Sequence, residues 1–333
     1  MLEPEISKAP ETLAGRGLVR FLPAFSNRRI LGVLTALAVT FVFFTIMVPE
    51  FLNIDNLIEL GVQSSIIAVI ALGMTLVIVT GGIDLSVGAI VGLVSVICAT
   101  NLSSWGVIPT ILIGLALGAL LGYLNGAFSA YFKLESFVVT LAALNIYRGL
   151  AFLYTEGKPI FGIPDEFRDV FGANIGPVPK PIILLVVVTI ICFLILNRSR
   201  SGTHLKAVGT NADAARKSGV SVNRIKVLAF ALSGLLCGLG ALMLMARIGA
   251  AEPISGTGYE LTVIAAVVVG GTSLMGGRAS IIGTVLGAIL LGAIRTGLTL
   301  MNVNPFLQLV VTGAIILLAV LLDRAISNTK VKR

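Results

Sequence analysis

The sequence predicts an all-α polytopic membrane protein with about ten transmembrane helices and both termini in the cytoplasm. Three observations carry this. Of the 333 residues, 56% are hydrophobic and only 12% charged, with a mean hydropathy of +1.02. A soluble core stops growing well before it needs that much apolar surface. Apolar runs of about 20 residues recur along the whole chain, the length at which a helix crosses a bilayer. The Lys and Arg residues gather between those runs, so the net charge of +8 reads as topology and not as a surface for nucleic acid.

Residues 1–29 hold five Lys/Arg and precede an apolar run that stops at Met47-Val48-Pro49 without a small-residue cleavage site. They read as a cytoplasmic tail before a retained first span, 30–48, and not as a signal peptide. Further spans are expected at 58–80, 84–101, 107–130, 136–154, 181–197, 227–246, 258–271, 279–298 and 305–322. The eighth is too short to cross unaided, so it begins before Gly258 or belongs to a broken helix. Counting from an inside start, residues 198–226 and the 326–333 tail lie inside, and 30–325 form one membrane domain. The charges agree: the N-terminal tail, 198–226 and the segment after Asp323 hold 16 of the 24 Lys/Arg. The expected outer loop 155–180 sets Lys158, Arg168 and Lys180 against Glu156, Asp165, Glu166 and Asp169, the asymmetry that the positive-inside rule requires.

The polar stretch 198–226 carries seven Lys/Arg against one Asp. Its middle has the signals of a short capped helix: Asn211 as N-cap, Asp213 in the first turn, Arg216 and Lys217 in the last, Gly219 to close it. Such a helix between two spans suggests a docking element. Gly81-Gly-Ile-Asp-Leu-Ser-Val-Gly88 reads as a tight turn in which Asp84 and Ser86 cap the third span, or as an unwound segment lining a cavity. Gly270-Gly-Thr-Ser-Leu-Met-Gly-Gly277 looks like it. Both fall on the inner side, so their likeness does not mark an inverted repeat.

Arg148 and Arg295 lie within spans, where arginine costs ~3 kcal/mol near the bilayer centre. Arg295 is near enough to its end to snorkel, whereas the deeper Arg148 snorkels, faces an inward cavity or takes an ion partner. From Arg247 to Glu260, through Glu252, the apolar pattern breaks, as in an outer loop or a re-entrant gate. Polar residues such as Ser65, Thr75, Asn125, Thr140 and Asn145 bond their own or neighbouring helices, or line a path for a hydroxyl-rich solute. Gly114, Gly118 and Gly122, four apart, pack helices closely.

Other chemistry is missing. No phosphate-loop, H-E-x-x-H or G-x-S-x-G motif occurs, and His204 stands without a second His. Cys98, Cys192 and Cys237 all lie in apolar runs, so neither a disulfide frame nor a metal site is indicated. An integral membrane enzyme is disfavoured for want of a nucleophile, catalytic residue set or metal. A self-sufficient carrier or channel is disfavoured because membrane carboxylates are scarce.

Four motifs taken in order, Gly81–Gly88, Ala207–Val220, Ala246–Pro253 and Gly270–Gly277, resemble the membrane permease subunit of ribose-type monosaccharide ABC importers. The resemblance runs from about residue 30 to 325. It implies a type II importer-like permease in the bacterial inner membrane, in contact with lipid and working as a homodimer. It further implies a cytoplasmic ABC ATPase, a periplasmic sugar-binding protein and no cofactor. Asn211, Asp213, Ala215, Arg216 and Gly219 would couple to the ATPase. Gly81, Gly82, Asp84, Ser86, Asn145, Arg148, Arg247 and Glu252 would shape the pathway or its gate. The solute would be ribose, with another sugar, a furanose signal molecule or a nucleoside as the alternative.

Overall fold

A computed structural model describes residues 28–331. The expectation for the 1–29 tail lies outside the described residues except for its last two, as does the end of the 326–333 tail. Eight described helices are long and apolar enough to cross a membrane. They are α1 (Arg28–Met47), α2 (Ile54–Ile78), α3 (Val87–Trp105), α4 (Val107–Tyr131), α5 (Ser136–Thr155), α7 (Lys180–Arg198), α10 (Val222–Ile248) and α12 (Ile281–Leu300). The apolar helix α11 (Tyr259–Val269) is shorter, as is the apolar stretch Pro305–Ile315 of α13 (Pro305–Val331).

The core is built on α2, α3 and α10. Ser64 to Ile78 are buried without interruption, because α2 is apolar on every side and has neighbours all round, among them α7, α10, α11 and α12. α1 stays at the edge against α12, where Phe44 and Phe51 form a small separate cluster. The closest seam joins α4 to α10. A Cβ on Gly118 would lie 2.4 Å from the Gly234 carbonyl oxygen, and one on Gly122 would lie 2.2 Å from that of Phe230. The four-residue glycine spacing therefore packs backbone against backbone, as expected.

The ends of the helices fix two faces. Val79, Gly209 and Gly277 meet on one, so the two glycine-rich stretches and 198–226 share a side, as the sequence predicts. On the other, Arg247 at the end of α10 pairs with Glu59 at the start of α2. The contacts repeat between two sets of four helices: α4 packs on α10 as α12 packs on α2, and α3 on α5 as α11 on α13. In this repeat the 79–86 segment corresponds to 249–258. The two glycine-rich stretches that look alike do not correspond, which agrees with setting their likeness aside.

One expected boundary moves, and two stretches hold more structure than the sequence announces. The third span begins at Val87 and not at 84, because 79–86 is irregular backbone. The loop 155–180 is structured: α6 (Asp165–Gly172) buries Phe167 and Phe171, one helical turn apart. Strand β1 (Ile160–Phe161) pairs antiparallel with β4 (Ala250–Ala251), and β2 (Asn174–Ile175) with β3 (Val178–Pro179). The polar stretch holds two helices, α8 (Arg200–Thr210) and α9 (Ala212–Lys217).

Candidate functional site: two broken crossings and a capped helix

α9 forms as its residues dictate. The Asn211 side chain accepts from the Ala214 N–H at 2.9 Å, and Asp213 pairs with Arg216 at 2.9 Å. The chain leaves through Gly219 at φ 84°, a conformation that favours glycine. Ala215 is buried while Asn211, Asp213, Arg216 and Gly219 are exposed, so the helix is seated on one side and bare on the other. α8 was not legible as a separate helix. Its signals are Ser199, whose hydroxyl accepts from the Gly202 N–H at 3.0 Å, and the buried pair Leu205 and Val208. Lys206 of α8 is half-buried beside Asn197, 2.9 Å away, and burial holds its ammonium below the usual lysine range.

The 79–86 segment rises from the α9 side. Irregular backbone inside a bilayer needs partners for its polar groups, and here α5 supplies them. The Ile83 N–H donates to Ser136 Oγ at 3.0 Å and the Leu85 N–H to Thr140 Oγ1 at 3.0 Å. Asp84, fully buried, accepts on one oxygen from the Ser86 N–H at 2.9 Å and the Ser86 hydroxyl at 2.6 Å. Asn125 donates to that hydroxyl at 2.8 Å, and Tyr147 donates to Asn125 at 2.9 Å. Ser86 therefore ties α3 to α4 and α5 and does not cap α3 with its own side chain, correcting that expectation; Asp84 takes the N–H. Gly82 is buried against Phe230, whereas Gly81 is exposed at φ 82°.

The 249–258 segment descends from the opposite face, and the shortness of α11 follows from it. Arg148, from within α5, donates through one nitrogen to the carbonyls of Pro253 at 2.5 Å and Ser255 at 2.7 Å. Of the roles open to Arg148, it takes neither an ion pair nor a snorkelled position: it holds backbone. Glu252 is half-buried at the head of the segment, and Arg247 is engaged by Glu59. The two segments meet where Gly88 faces Gly256, so closely that a Cβ on Gly88 would lie 2.1 Å from the Gly256 oxygen. Ser136, Thr140, Tyr147 and Arg148 all face inward from α5, at spacings that share one side of a helix. Tyr147 was missed because a tyrosine in an apolar run gives no signal of its hydroxyl partner. Asn145 points away from this face and is exposed, its amide donating to the Leu141 carbonyl at 3.0 Å.

Below the first segment lies a cavity of about 980 Å³, bounded by Thr80–Gly82, the turn at Lys133 and Glu135, Arg216 of α9, and Arg224. Among the described residues no group of three or more His, Cys, Asp or Glu could hold a metal ion.

Residues 56–320 match a family described as branched-chain amino acid transport system / permease component. The chain is 40% identical over 318 residues to the ribose import permease protein RbsC of Escherichia coli K12, covering 94% of this chain and 98% of that one. It is 43% identical over 299 residues to the protein of the same name from Bacillus subtilis 168, covering 88% and 92%. It is 39% identical over 298 residues to the L-arabinose transport system permease protein AraH of E. coli K12, covering 88% and 90%. No solved structure matches it. With the family's pattern running through both broken crossings and the capped helix, the chain is a multi-pass bacterial inner-membrane protein and belongs to the permeases of the ribose-type ABC importers.

Proposed function

We propose that this permease carries ribose inward as the translocation subunit of an ATP-driven importer, hydrolysing nothing itself. Likeness to the ribose permeases of two distant bacteria along nearly its whole length supports this most. A cytoplasmic ABC ATPase docks on α9 within 198–226, and a periplasmic sugar-binding protein delivers the sugar to the opposite face. Both termini are cytoplasmic, residues 30–325 form the membrane domain, and the chain crosses ten times. A second copy packs on the outward side of α5, where Asn145 and Gly149 are exposed among apolar residues; Asn145 then borders the pathway. ATP-driven closure of the ATPase biases the permease only through differential contacts at the docked helix. Asn211, Asp213, Ala215, Arg216 and Gly219 transmit that bias. Gly81, Gly82, Asp84, Ser86, Arg148, Arg247 and Glu252 shape the pathway or its gate.

The test is uptake of radiolabelled ribose by proteoliposomes holding this chain with its own ATPase and binding protein. Uptake is expected only with ATP and all three components. Uptake driven by an ion gradient without the ATPase would defeat the reading. The near-equal identity to the arabinose permease favours another monosaccharide as the second reading; arabinose outcompeting ribose in the same assay would select it.

A further inference from the structure

Three stretches of backbone meet directly beside α9, and glycine alone lets them. A Cβ on Gly209, in the last turn of α8, would lie 1.8 Å from the Val79 oxygen and 2.6 Å from the Gly277 nitrogen. One on Gly276 would lie 2.8 Å from the Gly209 oxygen and 3.0 Å from the Gly81 nitrogen. The Gly277 N–H donates to the Val79 carbonyl at 2.9 Å, closing the set. Apart from Thr210, whose hydroxyl would lie 2.4 Å from a Cβ on Gly277, no side chain cushions these contacts, so a displacement of the end of α8 is passed on with little damping. What it reaches is specific. Val79 begins the 79–86 segment that leads to Gly88. Gly276 and Gly277 lie in the 270–280 loop, whose far end is welded to α12: a Cβ on Gly283 would lie 1.9 Å from the Gly270 oxygen. Through Gly270 the loop joins α11, which begins next to Gly256. One knot thus holds the start of the 79–86 segment and, through the loop, the lower end of α11, and the two lead up to the meeting point of Gly88 and Gly256.

We infer that Gly209 is a positioning residue for transport: the point where motion of the docked helix enters the 79–86 segment and, through the 270–280 loop, α11 at once. Asn211, the cap of α9, follows Thr210 directly, so α9 cannot shift without pulling on this knot. The inference rests on α9 being the ATPase's seat.

The experiment uses the full complex with its ATPase and binding protein in proteoliposomes, and reads ribose uptake, ATP hydrolysis and ATPase retention together. Gly209→Ala is expected to keep the ATPase bound and hydrolysing while uptake per ATP falls roughly tenfold. Unchanged uptake per ATP in an intact complex would overturn the inference. Because Gly209→Ala can fail to insert, a second variant adds the bulk after folding. Thr210 is exposed and the three native cysteines are buried, so Thr210→Cys gives this chain one accessible thiol for a maleimide, with the parent complex labelled alongside to subtract any reaction of the partners. Uptake per ATP should be near normal before labelling and fall by a similar factor after it; equal values would overturn the inference. The seat itself is tested apart, by Arg216→Glu with Gly219→Val, which should release the ATPase. Should that pair keep the ATPase while the labelled Thr210→Cys variant still uncouples, the knot stands and only the seat is misplaced.

Discussion

The two broken crossings solve one problem by different means. In 79–86 the freed backbone groups are answered by short neutral hydroxyls, Ser136 and Thr140, and the one carboxylate is spent on Ser86. In 249–258 Ala250 and Ala251 pair with β1, the chain closes turns on itself, such as Ser255 N–H to Glu252 O at 3.0 Å, and the Pro253 and Ser255 carbonyls go to a single cation, Arg148. Hydroxyls cost little to desolvate and their loss can be shared among neighbours. An arginine in the bilayer is expensive, and the two carbonyls it holds have that one donor in common. The first segment is therefore held by several neutral groups, whereas the second, beyond the β1–β4 pairing of Ala250 and Ala251, has one side-chain catch over Pro253–Ser255. A gate needs a catch, which suits the second segment to opening and the first to staying put.

The largest expected effect is at the catch. Arg148→Met should loosen 249–258 by about 3 kcal/mol, since two charge-assisted bonds vanish and two part-buried carbonyls lose their donor. Hydrogen exchange of the purified complex should show the loss in 249–258 and not in 79–86; equal loosening of both would erase the asymmetry. Next is Gly88→Ala, at the meeting point. Its methyl cannot fit against the Gly256 oxygen without a shift, so about 2 kcal/mol of overpacking should lower the Tm and disturb both segments alike. A Tm equal to the parent's would mean the segments do not press on each other. Smaller again is Asp84→Ala, about 1.5 kcal/mol for the two bonds to Ser86. Asp84→Asn, which keeps an acceptor oxygen, should cost less than half of that in the same melt. If the two variants melt together, the Ser86 bonds are not what fastens the first segment.

Much of this was readable beforehand because the relevant physics is local. Span lengths, the basic stretch 198–226 and the caps of α9 depend on neighbours within one or two turns, and Asn211, Arg216 and Gly219 sit where their types predict. The glycines of α4 were legible from spacing alone. The Arg148 catch was not. An intramembrane arginine announces a partner without naming it, and carbonyls more than a hundred residues away carry no side-chain signature. The same holds for Gly209, whose value lies in what surrounds it. The helices α6 and α8 escaped because their apolar faces are two residues wide, Phe167 with Phe171 and Leu205 with Val208, too few for a periodicity to emerge from polar surroundings. The broken crossings were half-legible: the short eighth span betrayed 249–258, while the third span was long enough in apolar residues to hide its late start.

The smallest effect tests whether the comparison can be confined to the membrane. Asn211→Ala removes one cap bond, to the Ala214 N–H, from an exposed six-residue helix, and the usual cost of such a cap is about 1 kcal/mol. Because α9 is fastened by that side chain, whereas the end of α8 beside it is fastened by backbone contact at Gly209, fraying should stop at Thr210. Exchange should quicken over 212–217 alone and leave 79–86 and 249–258 at their parent rates. If 249–258 quickens with it, the Arg148 catch is already under load from the α9 face at rest, and Arg148 holds against α9 as well as against the bilayer. If 79–86 quickens instead, the hydroxyls of α5 fasten it less redundantly than their number suggests, and the contrast between the two crossings narrows to the charge on Arg148.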